Sequence, residues 1–214
     1  MLKNKFDCRR LVSGNIWLLL MMVVISLPVA AMDKPATTQQ TALFAGGCFW
    51  GVDAVFKHVK GVSEVVSGYA GGSAKSANYD DVSEGKTGHA ETVRVSFNPA
   101  QVSYQQLLEV FFSVAHDPTE LNRQGPDVGS QYRSAIFYTS DEQQKISQDY
   151  IKKLTAARTF PNPIVTQITP HQEFYLAEKV HQNYLALHLN EPYIIIHDLP
   201  KLEQLRKQFP ALYQ

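Results

Sequence analysis

The sequence predicts an α+β fold in which helices pack on a mixed sheet. Short apolar runs or alternating apolar residues predict strands over 41–45, 62–69, 90–97 and 132–138, and helical apolar spacing recurs between them. These elements are interspersed without a regular βαβ period, which favours a mixed sheet. A hydrophobic fraction of 44% with 19% charged residues is ordinary for one globular domain with a full core.

Residues 46–51, Gly-Gly-Cys-Phe-Trp-Gly, join the first predicted strand to a helix whose apolar face carries Val52, Val55 and Val59. Cys48 is therefore predicted at a strand-to-helix turn, where glycines allow the chain to bend sharply. A lone cysteine is ordinarily a small buried hydrophobe. Here the thiol would lie near the unpaired N–H groups of a helix N-terminus, which favour the thiolate. The pattern indicates a sulfur nucleophile.

A long polar loop over Ser73–Gly88, carrying Tyr79, precedes the strand Ala90–Phe97. Loops of this length in a compact domain are often functional. On the strand, Glu91 shares one face with the apolar residues at 93, 95 and 97 and should point toward the core. Desolvation would keep such a carboxyl protonated near neutral pH, as a general acid requires. The alternative is a solvated position at a frayed strand end.

In the C-terminal half, helices are predicted from Ser103 to Ala115, from Ser140 to about 158, over 173–188 and from about Pro200. Residues 116–131 form a second long polar loop, and residues 163–168 are strand-like. No HExxH or Cys/His cluster occurs, so we expect no metal site. Surface or helix-capping positions are expected for four histidines: His171, His181, His188 and His197.

The N-terminus has the layout of a secretory signal peptide over residues 1–31. A basic start precedes an apolar run, Ile16–Leu27, which is short for a membrane span, and small residues follow up to Ala31. Residues 32–41 are then a polar linker and 42–214 the catalytic domain. The protein is predicted to be exported, either periplasmic or secreted, without stable membrane association after cleavage; an uncleaved membrane anchor is the alternative.

Cleavage would change both the charge and the cysteine content of the chain. The formal charge is zero for the whole sequence and about −3 without residues 1–31, which suggests neither nucleic acid nor an anionic membrane surface as partner. Of the two cysteines, Cys8 would be removed and Cys48 would remain. Because one cysteine cannot form an internal disulfide, a reactive thiol becomes the leading explanation for Cys48.

Five motifs resemble those of the A-type peptide methionine sulfoxide reductases, and they occur in that family's order. They are Gly-Cys-Phe-Trp-Gly at 47–51, Gly-Tyr-Ala-Gly-Gly at 68–72, Gly-His-Ala-Glu at 88–91, Gln-Gly-Pro-Asp-Val-Gly-Ser-Gln-Tyr-Arg-Ser at 124–134 and Ala-Glu-Lys-Val-His-Gln at 177–182. The resemblance spans residues 42–189 and implies a two-layer α/β sandwich with a ferredoxin-like core.

The resemblance also implies a role for each matching side chain. Cys48 resembles the nucleophile that attacks the sulfoxide sulfur of methionine-S-sulfoxide, and Glu91 the acid that protonates its oxygen. The remaining matches are Tyr79 and Tyr132 as phenols that hydrogen-bond the oxygen, Phe49 and Trp50 as walls around the S-methyl group, and Asp127 as a polar organiser. Substrates would be free methionine sulfoxide and oxidised proteins, so the enzyme would repair oxidative damage.

The chain departs from the common family pattern because no cysteine follows Cys48. A sulfenic acid on Cys48 would have no resolving cysteine and would have to meet an external thiol, such as thioredoxin, glutaredoxin or a small thiol. No other cofactor is expected. Two other functions stay open: a Cys-dependent acyl-transfer hydrolase with His89 as base, and a non-catalytic module that binds oxidised methionine. His89 is more readily explained as a structural histidine.

Overall fold

The computed structural model describes residues 39–214, and its main feature is a six-stranded sheet in the order β7-β6-β1-β3-β2-β8. A separate two-stranded hairpin is formed by β4 and β5. The strands are β1 (Gln40–Gly46), β2 (Val62–Ala70), β3 (Ala90–Phe97), β4 (Arg123–Gln124), β5 (Asp127–Val128), β6 (Ser134–Tyr138), β7 (Gln167–Pro170) and β8 (Phe174–Leu176).

Six α-helices accompany the strands in the described range: α1 (Phe49–Lys57), α2 (Tyr79–Ser83), α3 (Tyr104–Val110), α4 (Asp141–Ala156), α5 (Tyr184–Leu187) and α6 (Leu199–Gln208). A π-helical turn, Phe111–Ala115, extends α3 to the end predicted from the sequence. Ser103 caps α3 through a capping box with Gln106, and Ser140 caps α4, as the sequence predicted.

The four central strands, β6-β1-β3-β2, run antiparallel to one another, whereas the edge strand β7 runs parallel to β6. Helices α1 and α3 connect β1 to β2 and β3 to β6. This is the ferredoxin-like arrangement, so the predicted α+β fold is confirmed. Phe44 of β1 stacks on Phe56 of α1 and Phe111 beyond α3, with ring centroids 5.1 and 4.8 Å apart. The main core therefore lies between one face of the sheet and these two helices.

The prediction of a helix over 173–188 is wrong. Residues 174–176 form β8, which pairs with the edge of β2, and only Tyr184–Leu187 is α-helical. Gly68 makes this pairing possible, since a Cβ there would lie 2.3 Å from the Phe174 ring. The pairing partner is more than a hundred residues away in sequence, so local periodicity could not reveal it.

Other boundaries shift by smaller amounts. The strand-like segment 163–168 is displaced to Gln167–Pro170. The strand predicted over 132–138 begins at Ser134 because residues 130–132 form a 3-10 turn. The two long loops contain α2 and the β4–β5 hairpin. β1 begins at Gln40, inside the segment predicted as linker. The predicted signal peptide lies outside the described residues. Within residues 39–214, no helix has the length and apolar character needed to cross a membrane.

Candidate active site

Cys48 lies between β1 and α1, as the sequence predicted, and is the N-cap residue of α1. Gly47 precedes it with φ of +91°, and a Cβ there would lie 2.6 Å from the side chain of Gln124. Gln124 in turn bonds both the N–H and the carbonyl of Asp117. The glycine therefore allows the turn to bend and lets the β4–β5 hairpin pack directly against it.

The thiol of Cys48 is 8% exposed, and its ionisation differs from what the sequence predicted. The backbone N–H of Trp50 favours the thiolate, as expected at a helix N-terminus. Burial, followed by the nearby carboxylates of Glu91 and Asp198, outweighs this contact and raises the pKa of Cys48 well above its usual value. The resting side chain is therefore a thiol, and the predicted preference for thiolate is wrong.

Glu91 points into the core from β3, on the same face as Val93, Val95 and Phe97, so its predicted burial is confirmed. Only 2% of it is exposed, and its Oε2 accepts the backbone N–H of Phe49 at 3.0 Å. Burial raises the pKa of Glu91 to about 8, although the Phe49 N–H opposes that shift. A proton donor is therefore held beside the first turn of α1 at neutral pH.

Tyr79 and Tyr132 are half-buried, and the charge of Glu91 acts on the phenol groups of both. Burial first, and then Glu91 and Cys48, raise the pKa of each phenol, so both remain hydrogen-bond donors. The guanidinium of Arg133 fixes Tyr132 by donating to the carbonyls of Gly88, His89 and Ser130 at 2.8–3.1 Å. The turn that carries Tyr132 is thus tied to the start of β3.

Glu178 holds Tyr79 in place from the segment after β8. Its two carboxylate oxygens accept the backbone N–H of Tyr79 and the hydroxyl of Tyr69, each at 2.8 Å. Tyr69 is completely buried and contacts Phe49 with ring centroids 5.9 Å apart. One carboxylate therefore links α2 to the aromatic residues beneath Cys48.

His181 is a site residue that the sequence interpretation missed, because it was expected on the surface or at a helix end. It is 7% exposed, and its Nδ1 accepts the indole N–H of Trp50 at 3.3 Å. Its ring lies 5.4 Å from that of Phe49 and 4.3 Å from that of Tyr79. The motif at 177–182 contained this histidine, but only the packed structure reveals its contacts.

The C-terminal segment supplies further residues that the sequence did not indicate. The hydroxyl of Tyr193 donates to Asp127 Oδ2, and Tyr184 stacks on Trp50 with ring centroids 3.7 Å apart. Asp127 is thereby connected to the aromatic cluster around Trp50, because Tyr193 also packs edge-on against that indole at 5.9 Å. No short sequence pattern links residues so far apart.

His89 is buried, and both of its ring nitrogens are engaged by backbone groups. Its Nδ1 accepts the N–H of Gly72 at 3.2 Å, and its Nε2 lies 2.9 Å from the carbonyl oxygen of Ser73. This agrees with a structural histidine and leaves no ring nitrogen for a thiol. Residues 39–214 contain no group of three or more His, Cys, Asp or Glu side chains placed to hold a metal ion.

The arrangement combines a thiol, a protonated carboxylic acid, two phenols and apolar rings around one helix turn. Such a set can deliver a sulfur nucleophile and protonate an oxygen that would otherwise leave poorly, as a thiol-dependent oxidoreductase requires. The family model described as peptide methionine sulfoxide reductase matches residues 40–212. The chain belongs to this family and is of the MsrA type, an oxidoreductase that reduces methionine sulfoxide to methionine.

Individual relatives and solved structures agree with this assignment. Peptide methionine sulfoxide reductase MsrA 2 of Mesorhizobium japonicum is 55% identical over 85% of this chain and 93% of the relative, and its namesake from Synechocystis sp. is 48% identical over 87% and 88%. The reduced form of Mxr1 from Saccharomyces cerevisiae is 33% identical with a TM-score of 0.66, covering 73% of this chain and 89% of Mxr1. Methionine sulfoxide reductase A of Corynebacterium diphtheriae has a TM-score of 0.63 at 35% identity, covering 72% and 76%.

The contact between His181 and Trp50 leads to a prediction about substrate binding. In His181→Phe the ring contacts persist, but the partly buried indole N–H of Trp50 loses its acceptor, at a cost of about 1–2 kcal/mol. We expect kcat/KM to fall about five- to thirtyfold, mainly through KM, because the wall beside the thiol is loosened. Steady-state kinetics with a methionine sulfoxide peptide measure this, and His171→Phe, remote from these contacts, is the control that should keep wild-type kinetics. An unchanged KM would contradict the assigned role.

Proposed function

We propose that this chain reduces methionine-S-sulfoxide by a one-cysteine cycle, with Cys48 as nucleophile and Glu91 as general acid. The observation that carries the proposal is the position of Glu91, buried and hydrogen-bonded to the N–H of the residue after Cys48, with its pKa raised to about 8. A carboxylic acid that is neutral at physiological pH is what protonation of a sulfoxide oxygen requires.

In the proposed reductive step, the Cys48 thiolate attacks the sulfoxide sulfur while Glu91 gives its proton to the oxygen. Tyr79 and Tyr132 donate hydrogen bonds to the same oxygen, and their raised pKa values keep both phenols protonated. Phe49 and Trp50 enclose the S-methyl group and exclude water. The oxygen is transferred from the sulfoxide to the sulfur of Cys48, which becomes a sulfenic acid, and methionine leaves.

Regeneration uses external thiols in this proposal. A first thiol condenses with the sulfenic acid to give a mixed disulfide and water, and a second thiol releases reduced Cys48 and an external disulfide. The sequence supports this because its only other cysteine is Cys8. Thioredoxin, glutaredoxin and small thiols are the candidate reductants.

The test is a single turnover without reductant. We expect one methionine per enzyme from the S epimer and none from the R epimer, and a protein mass increased by one oxygen, because no internal thiol captures the sulfenic acid. Dimedone should trap the product, and dithiothreitol should restore turnover. Two methionines per enzyme, or a mass loss of two hydrogens, would show a second cysteine at work. Binding without methionine formation, even with dithiothreitol, would favour the binding module.

We further propose that residues 1–31 are removed and that the mature enzyme works outside the cytoplasm. The support is the sequence alone: a basic start, a short apolar run and small residues before the cleavage position. Expression of the full chain in a bacterium, followed by fractionation and intact-mass measurement, tests this. We expect a protein in the periplasm or medium that begins near Met32 and lacks Cys8. A full-length protein in the membrane fraction would establish the anchored alternative.

A further inference from the structure

Asp198 is a completely buried carboxyl group between a π-helical turn, Ile194–Asp198, and α6. Its Oδ1 lies 3.1 Å from the Nζ of Lys201, whereas its Oδ2 has no hydrogen-bond partner among the described residues. Burying a carboxylate oxygen without a partner is costly, so this group calls for a physical explanation.

The carboxyl group packs against the helix turn that carries Cys48. A Cβ on Gly51, the third residue of α1, would lie 2.1 Å from Asp198 Oδ1 and 2.8 Å from Lys201 Nζ. Position 51 must therefore be glycine for the Asp198–Lys201 ion pair to pack against the N-terminal turn of α1. Asp198 and the thiol are in this way held against one turn, although 150 residues separate them in sequence.

The electrostatic surroundings of the thiol are mainly acidic. Ionisable groups coupled to Cys48 or Asp198 come from several elements: Glu91, Asp127, Asp198, Tyr79, Tyr132, Tyr184, Tyr193, His197 and Lys201. Of these, the carboxylates of Glu91, Asp198 and Asp127 all oppose a negative charge on sulfur. Glu91 is neutral below a pH of about 8. Below that pH, Asp198 is the stronger of the two remaining carboxylates acting on the thiol, although burial also raises the pKa of Asp198.

We propose that Asp198 is a positioning residue whose negative charge adds to burial in keeping Cys48 a thiol in the free enzyme, and thereby helps to protect it from oxidants in solution. The proposal rests on the function of Cys48 proposed above. Peroxide oxidises thiolates and not thiols, so a nucleophile that ionises only with substrate in place is spared in the resting state. The folded C-terminal segment thus supplies an electrostatic control of the thiol.

The test is the pH dependence of Cys48 alkylation by iodoacetamide in Asp198→Asn, which keeps the shape of the side chain and removes its charge. Removing one negative charge next to a buried thiol should lower the alkylation midpoint by about one pH unit. Below the midpoint, alkylation and inactivation by hydrogen peroxide should therefore both be about tenfold faster than in the wild type. An unchanged midpoint overturns the proposal.

Asp53→Asn is the matched control. Asp53 is likewise a buried aspartate, 1% exposed, with a lysine partner, Lys57 at 2.8 Å, and an unpartnered oxygen. It also belongs to α1 but is not among the groups that shift the Cys48 thiol. We expect its midpoint to match the wild type. Equal shifts in both variants would mean that loosening α1, and not the charge of Asp198, changes the thiol, and would overturn the proposal.

A second measurement does not depend on the folding of Asp198→Asn. In wild-type protein labelled with carbon-13, the Asp198 carboxyl resonance should show an inflection at the pH where Cys48 ionises, and this inflection should vanish in Cys48→Ala. Its absence from the wild type would overturn the proposal. A failure of the proposed function would be detected separately. In that case Cys48→Ser would still reduce methionine sulfoxide, whatever the thiol titration shows.

Discussion

Replacing Cys48 by serine should abolish methionine sulfoxide reduction, with a loss on the order of 10⁴-fold or more, as for other catalytic nucleophiles. An alcohol at this position is almost un-ionised and a far weaker nucleophile than a thiol. The side chain is 8% exposed and nearly isosteric with serine, so the fold should be retained. The measurement is methionine release from a sulfoxide peptide with dithiothreitol, alongside circular dichroism.

Cys8→Ser is the control for that experiment. Under the one-cysteine mechanism the variant keeps full activity, because Cys8 takes no part in the cycle. If Cys8→Ser slowed turnover, or if Cys48→Ser kept measurable activity, the nucleophile or its regeneration would have to be reassigned to other groups.

Glu91→Gln is expected to slow the chemical step by about 10²–10⁴-fold, the usual contribution of a general acid. The amide retains the size of the side chain and loses the proton that the sulfoxide oxygen needs. Once substrate is bound and the thiolate has formed in the complex, protonated Glu91 is the remaining requirement, so the single-turnover rate at saturating substrate should fall as the pH rises through the pKa of Glu91, about 8. Single-turnover rates between pH 6 and 10 measure both effects.

In the Glu91→Gln variant the single-turnover rate should no longer decline near pH 8, because position 91 then has no carboxyl group to deprotonate. Glu84→Gln, at an exposed position, is the control that should preserve both rate and profile. A wild-type single-turnover rate in Glu91→Gln would rule out the acid assignment. A descending limb that persisted in the variant would assign the titration to another group.

The raised pKa values of Cys48 and Glu91 have a joint consequence for the proposed reaction. Attack requires a thiolate together with a protonated carboxylic acid, yet burial favours the thiol in the free enzyme. The competent protonation state is therefore a minor one before substrate binds. A sulfoxide oxygen that accepts hydrogen bonds from Glu91 and the two phenols would stabilise that state, so binding and activation of the nucleophile would be coupled.

The chain's local patterns were sufficient to predict its main elements. Alternation placed Glu91 inward on β3, and the glycines around Cys48 placed the thiol at a strand-to-helix turn. Where a segment's conformation is decided by a distant partner, the local pattern was misleading. Residues 173–188 have helical spacing, but residues 174–176 satisfy backbone groups by pairing with β2, and Gly68 provides room for Phe174.

The sequence by itself determined the α+β class, the positions of Cys48 and Glu91, and the absence of a cysteine after position 48, because each depends on residue identity and near-neighbour spacing. Only the tertiary structure revealed the burial that governs the ionisation of the thiol and the placement of His181 and Asp198 near α1. Ionisation depends on burial and on the sum of charges from β3, the β4–β5 hairpin and the C-terminal segment. These elements are brought together by the fold and not by proximity along the chain.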